Sequence, residues 1–158
     1  MFNRLISVLV LVSFSTGCGF HLRGNVVMPA SLNNVHIIGG EADFNEGLAA
    51  ELKRAGSNVV ATDKDSATLR IDNLAYLNSV SKTDASGRAT GYTYHYTLEY
   101  SVVDANANVL QAPVAIHQER TQEYDPNQVL QAEQEEAFLK EEMEKDLVLQ
   151  LVRRLSRL

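Results

Sequence analysis

The chain reads as an α+β fold, with two helices packed on one face of a mostly antiparallel sheet. Three observations predict it. Residues 92–104 alternate cleanly: Tyr92, Tyr94, Tyr96, Leu98, Tyr100 and Val102 fall on one face, and Thr93, His95, Thr97, Glu99 and Ser101 on the other. That period of two belongs to a half-buried antiparallel strand. Two other segments, 44–55 and 125–154, repeat their apolar residues at helical spacing. The order is strand, helix, strand, long paired strands, helix, with a turn signal at each junction.

The elements follow from the N-terminal side. Residues 25–34 form an extended connector, because Pro29 and the pair Asn33-Asn34 discourage regular structure. Val35–Ile38 is a β-prone run closed by Gly39-Gly40. Asp43 is placed to cap a helix over 44–55, with Glu46 completing a capping box. Phe44, Leu48, Leu52 and Ala55 share one face of that helix, and Gly56 suits the left-handed position after its end. Residues 58–61 form a short strand. A long strand covers 68–81, and its apolar phase shifts at Asn73-Leu74, which predicts a bulge. Residues 82–91 are polar around Ser86-Gly87 and form a hairpin tip. After the turn at 104–108 a last strand runs over 109–123, with Pro113 marking an edge position or bulge. Asp125-Pro126 provides an N-cap and first-turn proline for a helix reaching about residue 154. Val129, Ala132, Leu139, Met143, Leu147, Leu151 and Leu155 make its stripe. Phe138, Leu149 and Val152 fall roughly opposite, as a second contact face.

The first 24 residues follow a different logic. One positive charge in residues 1–4 precedes the apolar run LISVLVLVSF at 5–14, long enough for a signal-peptide core and too short to cross a bilayer as a helix. Ser15, Thr16 and Gly17 then lead to Cys18, the single cysteine. Small residues ending in Gly-Cys form a bacterial lipobox. The expected division is a signal peptide over 1–17, which is removed, and one folded unit over 18–158. Cys18 then carries diacylglycerol on its thiol and an acyl chain on its freed amine. A single acyl chain holds a protein only marginally, so a multi-chain anchor is effectively permanent. Gly19 stands where Asp is the usual inner-membrane retention signal in bacterial lipoproteins, which favours the outer membrane.

Composition narrows the classes further. The hydrophobic share is 45%, which is globular. Losing Arg4 from 14 basic residues leaves 13 against 20 acidic ones, about −7, which argues against a nucleic-acid partner. With Cys18 acylated, no disulfide or thiolate metal site is left. His36, His95 and His117 show no ligand spacing, and no metal or cofactor is expected. No Gly-x-Ser-x-Gly elbow, His-Glu-x-x-His or phosphate-binding glycine loop occurs, and no nucleophile presents itself for an enzyme.

The run Cys18-Gly19-Phe20-His21-Leu22-Arg23-Gly24 resembles the start of mature members of the LptE family, the lipopolysaccharide-assembly lipoproteins of the outer membrane. The order of elements that follows is similar too, down to an Asp-Pro start and a basic end (Leu151-Val152-Arg153-Arg154-Leu155) for the last helix. The resemblance implies two helices on a roughly four-stranded, mostly antiparallel or mixed sheet. It implies a plug inside the lumen of a large β-barrel, LptD, needed to assemble that barrel and to insert lipopolysaccharide into the outer leaflet. It also implies direct binding of lipopolysaccharide. The protein would sit on the periplasmic side or in the barrel lumen, held by its lipid. The alternative is the lipoprotein binding subunit of another envelope lipid-transport system. Lipopolysaccharide carries phosphates, so Lys82 and Arg88, flanking the hairpin tip, with Tyr92 beyond, are the candidate contacts. Phe20, His21, Arg23 and Phe138 are candidates for partner contact.

Overall fold

The structure, a computed structural model, describes residues 26–123, 125 and 128–158. The expected signal peptide, Cys18, Phe20, His21, Arg23 and Pro126 lie outside the described residues. The strands are β1 (Asn34–Gly39), β2 (Asn58–Val60), β3 (Ala67–Thr83), β4 (Ala89–Val103) and β5 (Val109–Glu123), and the helices are α1 (Ala42–Arg54) and α2 (Val129–Leu155). A single sheet orders them β2-β1-β3-β4-β5. β1 is parallel to β2 and β3, and the β3-β4-β5 portion is antiparallel.

The sheet therefore has five strands where four were expected. The short strand expected over 58–61 is present as β2, three residues long; it pairs with β1 because α1 carries the chain back to the start of that strand, and it makes the fifth beyond the four that the resemblance implies.

α1 begins at Ala42, one turn-residue ahead of the predicted cap. Gly39 and Gly40 take φ of +80° and +75°, turning the strand straight into the helix. Glu41 occupies the N-cap with no side-chain cap bond, and Asp43 falls inside the first turn, where its charge complements the helix dipole. The first turn is instead tied back by Asn45 Nδ2, which donates to Gly39 O at 2.8 Å. At the other end Gly56 takes φ +96°, and Ser57 N–H and Gly56 N–H donate to Leu52 O and Lys53 O, closing the helix as the sequence predicts.

β3 carries its bulge between Ile71 and Asn73, so Asp72 is the additional residue. Ala67, Leu69 and Ile71 face the core before it, and Leu74 and Tyr76 face the core after it. β5 is an edge strand, and its register breaks around Ala112-Pro113.

α2 starts at Val129, later than the Asp125-Pro126 signal suggests. Asp125 holds the preceding turn, accepting from Gln128 N–H at 3.0 Å through its carbonyl and from Gln128 Nε2 at 3.0 Å through its carboxylate. The stripe is buried at Met143, Leu147, Leu151 and Leu155, while Val129 is exposed. Val152, expected on an opposite face, is buried together with Val148. The C-terminal half of α2 packs on the sheet and on α1 at once, so its apolar arc is wider than one stripe. Both helices share a single core with β1, β3, β4 and β5, built from Phe44, Leu48, Leu52, Leu69, Leu98, Tyr100, Ile116 and the α2 leucines. That places both helices on one face and leaves the other face open.

Candidate interaction surface

The β3-β4 hairpin runs past the end of the apolar core. Asp84 shapes its tip: Oδ1 accepts from Ser86 N–H (2.8 Å), Ser86 Oγ (2.6 Å) and Arg88 N–H (3.0 Å), and Oδ2 accepts from Arg88 Nε (2.9 Å). The Ser86 hydroxyl first, then the Arg88 backbone, hold the Asp84 carboxyl down at about 2. Asp104 repeats the device in the β4-β5 turn, accepting from Asn106 N–H and from the backbone and side chain of Asn108. Behind the tip, Gly91 is buried opposite Lys82, and a Cβ there would lie 3.1 Å from both Lys82 Cβ and Ser81 Oγ.

The structure gives Lys82 and Arg88 separate partners. Lys82 Nζ pairs with Glu123 Oε1 at 2.9 Å, and Arg88 pairs with Asp84. The Lys82 ammonium holds the Glu123 carboxyl below its usual range. The Lys82–Glu123 pair is exposed on both sides, so it is weak and open to exchange, whereas Asp84 is half-buried in its turn beneath an exposed Arg88. Tyr92 lies on the helix-facing side, its ring 6.4 Å from that of Tyr94.

Under α2 the sheet presents a tyrosine cluster. Tyr76 stacks on Tyr94 at 5.8 Å and meets Tyr96 edge-on at 5.4 Å. Lys140 from α2 sits 5.5 Å above the Tyr76 ring. Tyr96 donates to Glu144 Oε2 at 3.2 Å. Sequence alternation found Tyr92, Tyr94 and Tyr96 but missed Tyr76; the phase shift at Asn73-Leu74 is the signal that brings Tyr76 opposite Tyr96. Tyr76 Oη and the Oε1 atoms of Gln118 and Gln122 are buried without a protein partner, so this layer is polar rather than a continuation of the core.

Burial first, then the charge of Glu136, pushes the Tyr94 hydroxyl up to about 12, and burial likewise raises Tyr76 and Tyr96. The folded chain thus holds these protons more tightly than the unfolded chain, where tyrosine titrates near ~10. Stability is accordingly flat below that value and falls as pH rises from there toward about 12. Thermal melts at stepped alkaline pH test this; a midpoint that stays constant across that window rules it out.

The N-terminal half of α2 is held by polar contacts. Gln122 Nε2 donates to Glu135 Oε2 at 2.6 Å, and Arg120 pairs with Asp146 at 3.0 Å. Phe138 is 62% exposed and forms, with Leu139, Gln131, Gln134 and Arg120, the wall of a groove of 530 Å³ against β5. The open sheet face is laced by cross-strand hydrogen bonds: Thr93 to Thr121 (3.1 Å), Thr97 to His117 (3.0 Å) and Ser101 to Asp72 (3.0 Å), with His95 near Glu119 (3.7 Å). Among the described residues no group of His, Cys, Asp or Glu is placed to hold a metal ion. No helix among them is long and apolar enough to cross a membrane.

The family described as "LptE: Lipopolysaccharide-assembly" matches residues 27–155, from the entry into the fold to the last residue of α2. The chain belongs to the LptE family. An LPS-assembly lipoprotein LptE from Pectobacterium atrosepticum is 24% identical over 159 residues, covering 98% of this chain and 84% of that protein. The uncharacterized lipoprotein B of Nitrosomonas europaea superposes with a TM-score of 0.74 at 25% identity, covering 87% of this chain and 90% of its own. A minor lipoprotein from Acinetobacter baumannii shares the fold, with a TM-score of 0.69 at 18% identity over 82% of this chain and 94% of its own. The α+β class expected for an LptE-family protein is the class observed, with two helices on one face of a mixed sheet.

Proposed function

We propose that this LptE-family chain is a lipid-anchored outer-membrane lipoprotein that plugs an LptD-like β-barrel and assists the insertion of lipopolysaccharide into the outer leaflet. The match to the family across the whole described fold carries the reading. The surface supports it. The lumen of a large barrel is polar, and the open face of β3-β4-β5 is a lattice of hydroxyl, imidazole and carboxylate groups. Cys18, with its preceding small residues, is the proposed acylation site. The family is one of lipopolysaccharide assembly, which supports a role in binding and assembly rather than catalysis.

The test is a tagged pull-down from detergent-solubilised outer membranes. A stoichiometric β-barrel, identified by mass spectrometry as LptD, is the expected result. Co-purification with an inner-membrane ATPase and no barrel would transfer the protein to another lipid-transport system.

Lys82 and Arg88, with Tyr92 behind them, are the proposed lipopolysaccharide contacts. Both cationic side chains are exposed, and the partner of Lys82, Glu123, is an exposed carboxylate that a phosphate can replace at little cost. The double variant Lys82→Glu/Arg88→Glu is expected to lower lipopolysaccharide affinity about tenfold or more, with melting unchanged. Equal affinity would remove both residues from the site. Phe138 is the proposed barrel contact on α2, alongside Phe20, His21 and Arg23 near the anchor. Phe138→Ala is expected to leave melting unchanged, because the ring is largely exposed, and to reduce barrel recovery. Full recovery would exclude it.

A further inference from the structure

The charges of the described residues are sorted from one end of the sheet to the other. β1, β3 and β5 run the same way, and both helices run back against them. For α2 this is fixed by its contacts: Glu135 near its start meets Gln122 near the end of β5, and Arg154 near its end reaches Ala115 O toward the start of β5. α1 and α2 are therefore parallel and finish together. α1 ends in Lys53 and Arg54, and α2 in Arg153 and Arg154, with Arg157 beyond. All five are exposed; Arg54 is paired with Glu51, and Arg154 leans on Ala115 O. The other carboxylates of that end, Asp63, Asp65 and Asp104, belong to the strand connections, and Asp104 is saturated by its own turn. The opposite end carries Asp84, Glu123, Asp125, Glu133, Glu135 and Glu136, against Lys82 and Arg88, which are already paired.

The chain enters the fold at the basic end. Met28 N–H donates to Ala55 O at 3.0 Å, one residue past α1. Cys18 precedes Val26 by 8 peptide steps, a reach of about 29 Å fully extended and on the order of 16 Å for a flexible chain. A lipid on Cys18 thus holds the point of entry about two screening lengths from the bilayer when the segment is flexible and three to four at full extension, each length being roughly 8–10 Å. Helix-dipole complementarity explains a cation in each last turn. It does not explain Arg157, which lies past the helix, nor the gathering of both helix ends at the point where the anchor segment enters.

We propose that Lys53, Arg54, Arg153, Arg154 and Arg157 form a footprint that seats on anionic phospholipid headgroups of the leaflet holding the anchor, so that the hairpin tip points away from that leaflet. This rests on the Cys18 anchor proposed above. Guanidinium and ammonium groups donate to headgroup phosphates, and each cation near an anionic surface adds attraction that the single lipid attachment cannot direct. The lipid fixes the distance, and the footprint fixes the orientation.

The test uses the full-length lipoprotein reconstituted through its anchor. With Cys18 acylated, a new cysteine is the sole free thiol. Leu158→Cys and Ser86→Cys each receive a donor dye, and the vesicles carry an acceptor lipid. The vesicles are phosphatidylethanolamine and phosphatidylcholine, alone or with about one-third phosphatidylglycerol. Transfer from position 158 is expected to rise with the anionic lipid and to fall back at high salt, while transfer from position 86 stays low throughout. Arg153→Glu/Arg157→Glu, and separately Lys53→Glu/Arg54→Glu, are expected to erase the response to anionic lipid while the protein still floats with the vesicles. Equal transfer from position 158 in both vesicle types, or higher transfer from position 86, overturns the footprint. Failure of the anchor itself has a different signature: the protein does not float and its mass lacks the acyl chains, which overturns the anchor reading and this inference with it.

Discussion

Gly39→Ala is expected to destabilise the fold by about 3 kcal/mol or more, or to prevent its accumulation. Gly39 combines φ +80° with no room for a side chain: an added Cβ would lie 2.4 Å from Ile71 O, a backbone atom of the neighbouring strand β3. The left-handed conformation alone costs an L-residue about 1–2 kcal/mol. The clash cannot be relieved by rotating a side chain, because Ile71 O belongs to the backbone ladder between β1 and β3. Gly40→Ala is the internal comparison. It has a similar φ of +75°, but its added Cβ meets Asn45 Oδ1, the end of a side chain that can turn away. The expected loss there is smaller, about 1–2 kcal/mol, plus the tie from Asn45 to Gly39 O. Chemical denaturation of the two variants separates the cases. Equal losses would mean that the β1-β3 ladder yields at this point and that strain is the whole effect.

Leu147→Ala is expected to cost about 3 kcal/mol, lowering the melting midpoint by roughly 10 °C. Leu147 is 0% exposed, and the helix turns on either side are fixed by Met143 and Leu151, both equally buried. With rigid neighbours the cavity has little chance to collapse, which is the condition for the large end of such losses. Leu139→Ala, one repeat earlier on the same stripe, removes a side chain that is only partly buried above a polar layer. Its loss is expected to stay below ~1.5 kcal/mol in proportion to the smaller area removed from water. Hydrogen exchange along α2 should show the same asymmetry, with early exchange in residues 129–139 and strong protection in 143–152. Uniform protection along the helix would contradict the division.

The strongest sequence signals were those in which local pattern and tertiary burial agree. The alternation from Tyr92 to Val102 placed β4 and its inner face, and the apolar spacing of Phe44, Leu48 and Leu52 placed α1. The phase shift at Asn73-Leu74 located a bulge to within two residues. Misplaced features were those decided by non-local partners. The cap of α1 moved because a two-glycine turn and Asn45 do the work expected of Asp43. Val152, expected on a second contact face, is buried, because α1 and the sheet together cover a wide arc of α2. The candidate contacts fared in the same way. Lys82 and Arg88 stood out as cations near a tip, but Glu123, 41 residues from Lys82, was invisible as its partner.

The bulge at Asp72 has a consequence for insertion and deletion. Upstream of it the odd-numbered residues of β3 face the core, and downstream the even-numbered ones do. Losing Asp72 would restore simple alternation to the strand: with Leu69 and Ile71 held inward, Asn73 turns outward and Leu74 and Tyr76 stay on the core face, so the ladder becomes regular without changing sides. A single residue inserted beside the bulge has the opposite effect, turning Leu74 and Tyr76 to the open face so that the hairpin meets α2 with the wrong side. A conservative replacement such as Asp72→Asn keeps the extra residue and only adjusts its bond to Ser101. Reading frame along the strand, rather than side-chain identity, is what this position sets, and a codon-scanning library should tolerate both substitution and deletion of Asp72 while a one-residue insertion beside it is lost.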